Sequence, residues 1–168
     1  MNNDIKKIVT KLDMQPHPEG GFYKETYRSK GEIPKDTLKE KFSGARNYCT
    51  GIYFLLTSDN FSAFHRIKQD EMWHFYGGSS LYVHIIDAEG KYTRNTVGMN
   101  LDEGEVPQLV VPANCWFASS VKEENAYSFV GCTVAPGFDF EDFELAERSI
   151  LINEYPDLSN VISKYTRV

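Results

Sequence analysis

The chain is short of the residues that staple or anchor a protein. Three cysteines, Cys49, Cys115 and Cys132, stand far apart in 168 residues, a pattern that fits neither a disulfide framework nor a zinc-ligand spacing. Reduced thiols are therefore expected. The longest apolar run, Ile52 to Leu56, is far too short to span a bilayer. The first residues, Met-Asn-Asn-Asp-Ile-Lys-Lys, lack the apolar core of a secretory signal, so a cytoplasmic protein is the expectation. Basic residues are outnumbered, 18 against 24 acidic, for a net charge of −6. They are scattered rather than striped, which argues against nucleic acid as a partner. No membrane partner is expected either. An acidic balance does not exclude an anionic substrate, because one local arginine can override the global field.

What the chain does have is aromatic surface, with 11 Phe, 10 Tyr and 2 Trp. Aromatic side chains favour β structure or an aromatic-lined pocket. At 41% hydrophobic and 25% charged residues the composition is that of a soluble globular protein. The length suits one domain over residues 1–168.

Ile5, Ile8, Val9 and Leu12 recur at helical spacing and predict a short amphipathic helix over residues 3–13. Met14-Gln-Pro-His-Pro-Glu-Gly-Gly21 reads as a loop whose path its prolines and glycines dictate. Residues 22–27 read as a strand, and the polar stretch 29–44 as a mobile excursion or flap. Short β runs follow at 48–56, 61–67, 71–76, 80–86, 91–97, 107–112, 115–121 and 126–135, broken by turns such as Gly77-Gly78 and Asp87-Ala-Glu-Gly90. Strands at this spacing indicate an all-β sandwich or barrel. From about Asp142 the pattern turns helical, with Phe143, Ala146, Ile150 and Leu151 on one face, until Pro156 breaks it.

The stretch Phe61-Ser-Ala-Phe-His-Arg-Ile-Lys-Gln-Asp-Glu-Met-Trp-His-Phe-Tyr-Gly-Gly78 carries the chemistry. It sets a histidine near the end of one strand and a carboxylate near the start of the next, joined by a short polar turn. His65, Glu71 and Gly78 match the first motif of the cupins, His-x-His, three or four residues, Glu, six residues, Gly, with Ile67 where the second histidine belongs. The second motif, Pro-x-Gly, two residues, His, is matched by Pro112-Ala-Asn114-Cys-Trp-Phe117, with Asn for Gly and Phe for His. Two of the four usual metal ligands are thus replaced. Five further stretches resemble the DUF985 or cupin-5 group: Pro18-Glu-Gly-Gly-Phe22, Phe64-His-Arg66, Asp70-Glu-Met-Trp-His-Phe-Tyr76, Val111-Pro-Ala-Asn-Cys-Trp-Phe117 and Gly131-Cys-Thr-Val-Ala-Pro-Gly-Phe138. The resemblance implies a cupin double-stranded β-helix, or jelly roll, with a short N-terminal helix and a C-terminal helical tail. It also implies a homodimer, related in shape to the dTDP-4-dehydrorhamnose 3,5-epimerases.

In that frame His65 points into the barrel beside Ala63 and Ile67, and Glu71, Trp73 and Phe75 share an inward face. A buried carboxylate needs a partner, and His65 is the obvious one for Glu71. The expectation is a metal-independent isomerase or epimerase of a carbohydrate-like or nucleotide-sugar-like ligand, with His65 as base and Glu71 orienting it. Glu19, Arg28, Tyr53, His74, Gln108, Asn114, Trp116 and Cys132 are candidates for holding the substrate, with Tyr82 a further candidate acid. No cofactor is expected. A metal would need His65 and Glu71 to be joined by a third ligand, for which His74 is the candidate. Two alternatives stand beside this reading: a non-catalytic small-molecule-binding cupin, and a metal-dependent enzyme using His65, Glu71 and His74.

Overall fold

Alternating inward and outward side chains decide how this chain folds, and the inward sets of its strands converge on one core. The structure is a computed structural model that describes residues 3–38 and 41–167. Its strands are β1 (Gln15–Pro16), β2 (Phe22–Arg28), β3 (Glu32–Ile33), β4 (Arg46–Asn47), β5 (Thr50–Thr57), β6 (Phe61–Arg66) and β7 (Asp70–Gly78). They continue with β8 (Leu81–Ile86), β9 (Tyr92–Val97), β10 (Gln108–Val111), β11 (Trp116–Val121), β12 (Tyr127–Ala135) and β13 (Glu144–Leu145). A six-stranded sheet in the order β1-β2-β5-β12-β7-β10 faces a five-stranded sheet in the order β13-β6-β11-β8-β9, while β3 and β4 pair apart. All the neighbouring pairs in the two large sheets are antiparallel. The result is the expected jelly roll.

Between the sheets lie Phe54 and Leu56 from β5, Trp73 from β7, Val130, Cys132 and Val134 from β12, and Val83, Ile85 and Phe117 from the opposite sheet. Fully burying side chains of this kind contributes roughly 1.5–3 kcal/mol each. Both sheets are also covered on part of their outer faces. Phe64, Ile86, Trp116 and Ala118 pack beneath Leu151 and Ile162, which belong to the helices Arg148–Glu154 and Ser159–Lys164. On the six-stranded sheet, Ile5 and Met14 cover Leu55, Ile5 coming from the N-terminal helix Asn3–Lys11.

The ends of the chain differ from expectation in one respect. The helix is not continuous from Asp142: Glu144–Leu145 adds an edge strand to β6, and helix begins only at Arg148. Ile150 is accordingly exposed while Leu151 is buried. Within the 29–44 stretch, the described residues include β3 and a short helix, Lys35–Leu38. Residues 39 and 40 lie outside the described residues.

A buried charge cluster fixes the segment that closes one end of the sandwich. Arg46 donates from Nε and Nη2 to the two carboxylate oxygens of Asp142, at 2.7 and 2.8 Å. Gln69 Nε2 donates to Asp142 Oδ2 at 2.7 Å and to the Gly137 carbonyl at 3.2 Å. Arg46 and Asp142 are only 5% and 4% exposed, so removing one partner leaves the other buried charge with only a longer ion pair, Arg46 to Glu141 or Lys68 to Asp142, each at 3.5 Å. Asp142→Ala is expected to cost about 3–5 kcal/mol in chemical denaturation, and the apolar double replacement Arg46→Met with Asp142→Leu to recover much of it.

Candidate functional site

A cavity of about 400 Å³ opens between the sheets, walled by His17 and Glu19 from the loop before β2, Ile52 and Phe54 from β5, and His65 and Ile67 at the end of β6. Glu71 and Trp73 from β7, Cys132 and Val134 from β12, and Phe138, Phe140 and Phe143 complete the wall. The size falls within the usual range of small-molecule sites. Gln15, Tyr23, Glu25, Arg28 and Asp139 also line it, and Glu25, Arg28 and Phe140 carry it out to the exposed surface.

Loop geometry brings Glu19 into this wall. Gly20 and Gly21 have φ of +119° and +80°, a region that side chains resist. A Cβ on Gly20 would also meet the Phe61 carbonyl oxygen at 2.2 Å, and one on Gly21 the Leu55 carbonyl oxygen at 2.7 Å. The loop is held down from outside: the Glu19 carbonyl accepts from Ala63 N at 3.0 Å and from Arg167 Nη2 at 3.2 Å. Glu19 is 5% exposed, and its Oε2 sits 2.8 Å from His65 Nε2.

His65 is therefore engaged at both ring nitrogens. Nδ1 lies 2.7 Å from the Ala63 carbonyl, which can only accept, so Nδ1 carries the proton. Nε2 faces Glu19. Burial pushes the His65 pKa down, but Glu19 and then Glu71 outweigh it and the net shift is upward. For Glu19, burial pushes up, and His65, His17 and Ser62 outweigh it downward. The two form a short ion pair inside the wall. The ring also packs on Phe117, its cross-strand neighbour, with centroids 4.0 Å apart.

Glu71 lies next to this pair without being its partner. Burial is the largest influence on it and, with the nearby Glu19 charge, overrides the attraction of His65, so its pKa rises to about 7. Cys132 lies beside it in the wall, and burial and then the Glu71 charge push that thiol well above its ordinary value. Cys132 is thus a neutral thiol, not a nucleophile. His17 completes the set. Its Nδ1 accepts from Glu19 N at 3.3 Å, and burial, followed by a balance of Glu19 against His65, leaves its pKa lowered. A neutral imidazole results.

Of the residues expected at the site, His65, Glu71, Glu19, Arg28 and Cys132 line the cavity. The pairing differs from expectation: Glu19, not Glu71, meets the His65 ring. Tyr53 faces outward against Tyr76 and Phe129, because Ile52 and Phe54 take the inward positions of β5. His74 and Gln108 are bonded to each other at 3.1 Å on the outer face, where His74 also meets Thr133 Oγ1 at 2.9 Å. Trp116 packs among the C-terminal helices under the Arg66 guanidinium, 4.3 Å from its ring centre. Tyr82 is likewise outside the cavity, with the Arg94 guanidinium 4.6 Å from its ring centre. Asn114 sits in the turn before β11 with φ of +64°. It supplies backbone conformation where the cupin motif has glycine, its N–H donating to the Ile67 carbonyl at 2.8 Å. The sequence reading missed His17 and Tyr23, for which only the proline- and glycine-bounded loop offered a signal.

A metal would require several of these donors to converge. His74 is on the opposite side of its sheet from Glu71, so the set His65, Glu71 and His74 does not assemble. Ile67 and Phe117 fill the two other motif positions with hydrocarbon, and among the described residues no group of three or more His, Cys, Asp or Glu side chains could hold a metal ion. The residues do not fit a metal centre.

Two facing antiparallel sheets, with the histidine and glutamate of the first motif both reaching the space between them, define a cupin. The chain belongs to the family described as Cupin superfamily (DUF985), whose model matches residues 6–146. It is 30% identical over 149 residues to the uncharacterized protein YML079W of Saccharomyces cerevisiae, covering 83% of this chain and 74% of that one. Among solved structures it resembles protein SO0799 of Shewanella oneidensis, at 38% identity and a TM-score of 0.87 over 99% of this chain and 98% of that one. A hypothetical protein from Leishmania major is similar at 34% identity and a TM-score of 0.88, covering 97% and 98% of the two chains. Oxalate decarboxylase from Bacillus subtilis shares the fold at 15% identity and a TM-score of 0.55, the match covering 91% of this chain and 37% of the decarboxylase.

The electrostatics of the cavity set the pH dependence of stability. Glu71 has its folded pKa raised to about 7, so folding favours its protonated form and stability falls as pH rises above the unfolded value. His65, also raised, contributes stability at low pH that is lost as pH climbs through its folded pKa. Both act in the same direction, whereas Glu19, lowered, withdraws stability only on acidification. Unfolding free energy is expected to decline between about pH 5 and pH 8, with Glu71 accounting for roughly 3 kcal/mol. Glu71→Gln should flatten that decline in denaturant titrations across the range, and an unchanged slope would show that Glu71 does not titrate there.

Proposed function

We propose that this cupin binds a small carbohydrate-like ligand in the cavity and moves a proton on it without a metal, as an isomerase or epimerase does. The observation that carries the proposal is the Glu71 carboxyl, lining the cavity with a pKa of about 7. A group poised there exchanges protons readily at neutral pH in both directions. His65 is not a free base while Ala63 and Glu19 hold both its nitrogens, so the roles first expected for the pair change places. Glu71 takes and returns the proton; His65 is a fixed positive charge that steadies an anion developing beside it. Glu19 keeps His65 charged. Phe54, Trp73, Phe138 and Phe143 supply apolar faces, and His17 with Asp139 polar ones, for a ring bearing hydroxyl groups. In the same proposal a second copy of the chain covers the outer face of the six-stranded sheet, where Tyr27, Met72, Tyr76 and Val110 are exposed.

Incubation with a panel of aldoses, ketoses, amino sugars and nucleotide sugars in deuterated water, followed by NMR, tests the reaction. Deuterium is expected at a carbon next to a carbonyl in at least one member. Glu71→Gln should slow its incorporation by about 10²–10⁴-fold, with the substrate still bound. Binding without exchange by any member would leave a ligand-binding module in place of an enzyme.

A further inference from the structure

The charges around the cavity restrict which carbohydrate-like ligand it can accept. Arg28 is the only lysine or arginine among the described residues lining it, and its guanidinium is already committed. Nε donates to Glu25 Oε1 at 3.0 Å, Nη2 to Glu25 Oε2 at 2.7 Å and to the Phe138 carbonyl at 3.1 Å, and Nη1 to Asn47 Oδ1 at 2.8 Å. The other cation, His65, is matched by Glu19 at 2.8 Å and is 3% exposed. Glu71 and Asp139 remain on the acidic side, within a protein of net charge −6. At the mouth, the short turn of helix Phe140–Asp142 has its Glu141 N–H capped by Asp139 at 2.9 Å.

A phosphate or carboxylate entering this space would meet Asp139, a Glu71 that ionises around pH 7, and no uncommitted arginine or lysine. A hydroxyl or ammonium group would meet acceptors, and an ammonium would also meet aromatic faces, which attract cations. We infer that the cavity takes unphosphorylated sugars or amino sugars and excludes sugar phosphates, sugar acids and nucleotide sugars. The inference rests on the carbohydrate reading of the site and narrows it. It also removes the nucleotide-sugar option, since a diphosphate needs the cationic partner that Glu25 has taken.

Calorimetric titration of matched sets tests it, each set holding one sugar (glucose, galactose, mannose or fructose), its amino derivative, its 6-phosphate and a nucleoside-diphosphate derivative. For at least one sugar, the free or amino form should bind at least about tenfold tighter than the phosphorylated forms. Tighter binding of a phosphorylated form overturns the inference while leaving the carbohydrate reading intact. If no member of any set binds, both fail together. Glu25→Gln, at the exposed mouth and outside the proton-transfer groups, releases Arg28 and should narrow the preference against phosphate by roughly tenfold. An unaltered preference in that variant would refute Arg28 commitment as the cause.

Discussion

The 2.8 Å contact between His65 and Glu19 is the constraint on which the cavity depends. It ties the loop before β2 to the end of β6, two parts of the chain that share no continuous ladder beside it. Both groups are nearly dry, so neither charge is tolerable without the other. The loop must therefore follow one path, and the two glycines supply the backbone conformations that path requires. Arg167, bonded to the Glu19 and Phe61 carbonyls and to Asn60, holds the same corner from the far end of the chain. The ion pair thus links the N-terminal loop to the central hairpin, and Arg167 fastens the C-terminal tail to the same corner.

That pairing also decides the behaviour of Glu71. Had His65 offered its ring directly to Glu71, the carboxyl would have been held ionised. With the imidazolium committed to Glu19, Glu71 feels a cation partly cancelled by an anion, and burial dominates. The Cys132 thiol, itself neutral, adds no charge. Strand parity puts Glu71 in the cavity, burial there sets most of its proton affinity, and Glu19 on the loop before β2 adds to it. Position comes from local strand geometry, whereas part of the electrostatics comes from a distant loop.

This division explains what was legible in the sequence. Motif spacing and the two-residue period placed His65 and Glu71 inside a jelly roll correctly, because both depend on local strand geometry. The partner of His65 depended on the path of a loop 46 residues earlier, and glycines announce an unusual path without saying where it leads. Tyr53 and Trp116 were misplaced for another reason. Their strands are apolar on both faces, since one side meets the inter-sheet core and the other meets a covering helix or the aromatic cluster of the outer face. Where both faces are covered the alternation vanishes, and an aromatic residue gives no sign of its side. Asn114 was read as a polar contact although its part is conformational: at φ of +64° asparagine is among the few residues that substitute for glycine at modest cost. The edge strand at Glu144–Leu145 was hidden by the helical pattern that follows it.

The replaced motif positions tie these observations together. In a cupin that binds a metal, the ion's positive charge neutralises the glutamate and the histidines stay uncharged. Here Ile67 and Phe117 stand at two ligand positions, and Phe117 lies against the His65 ring instead. A buried carboxyl in this wall must find a cation or keep its proton. The chain does both, in different places: Glu19 draws a proton onto His65, and Glu71 holds its own up to about pH 7. With isoleucine and phenylalanine at those two positions, Glu71 is a carboxyl whose charge rests on burial and on the His65–Glu19 pair beside it.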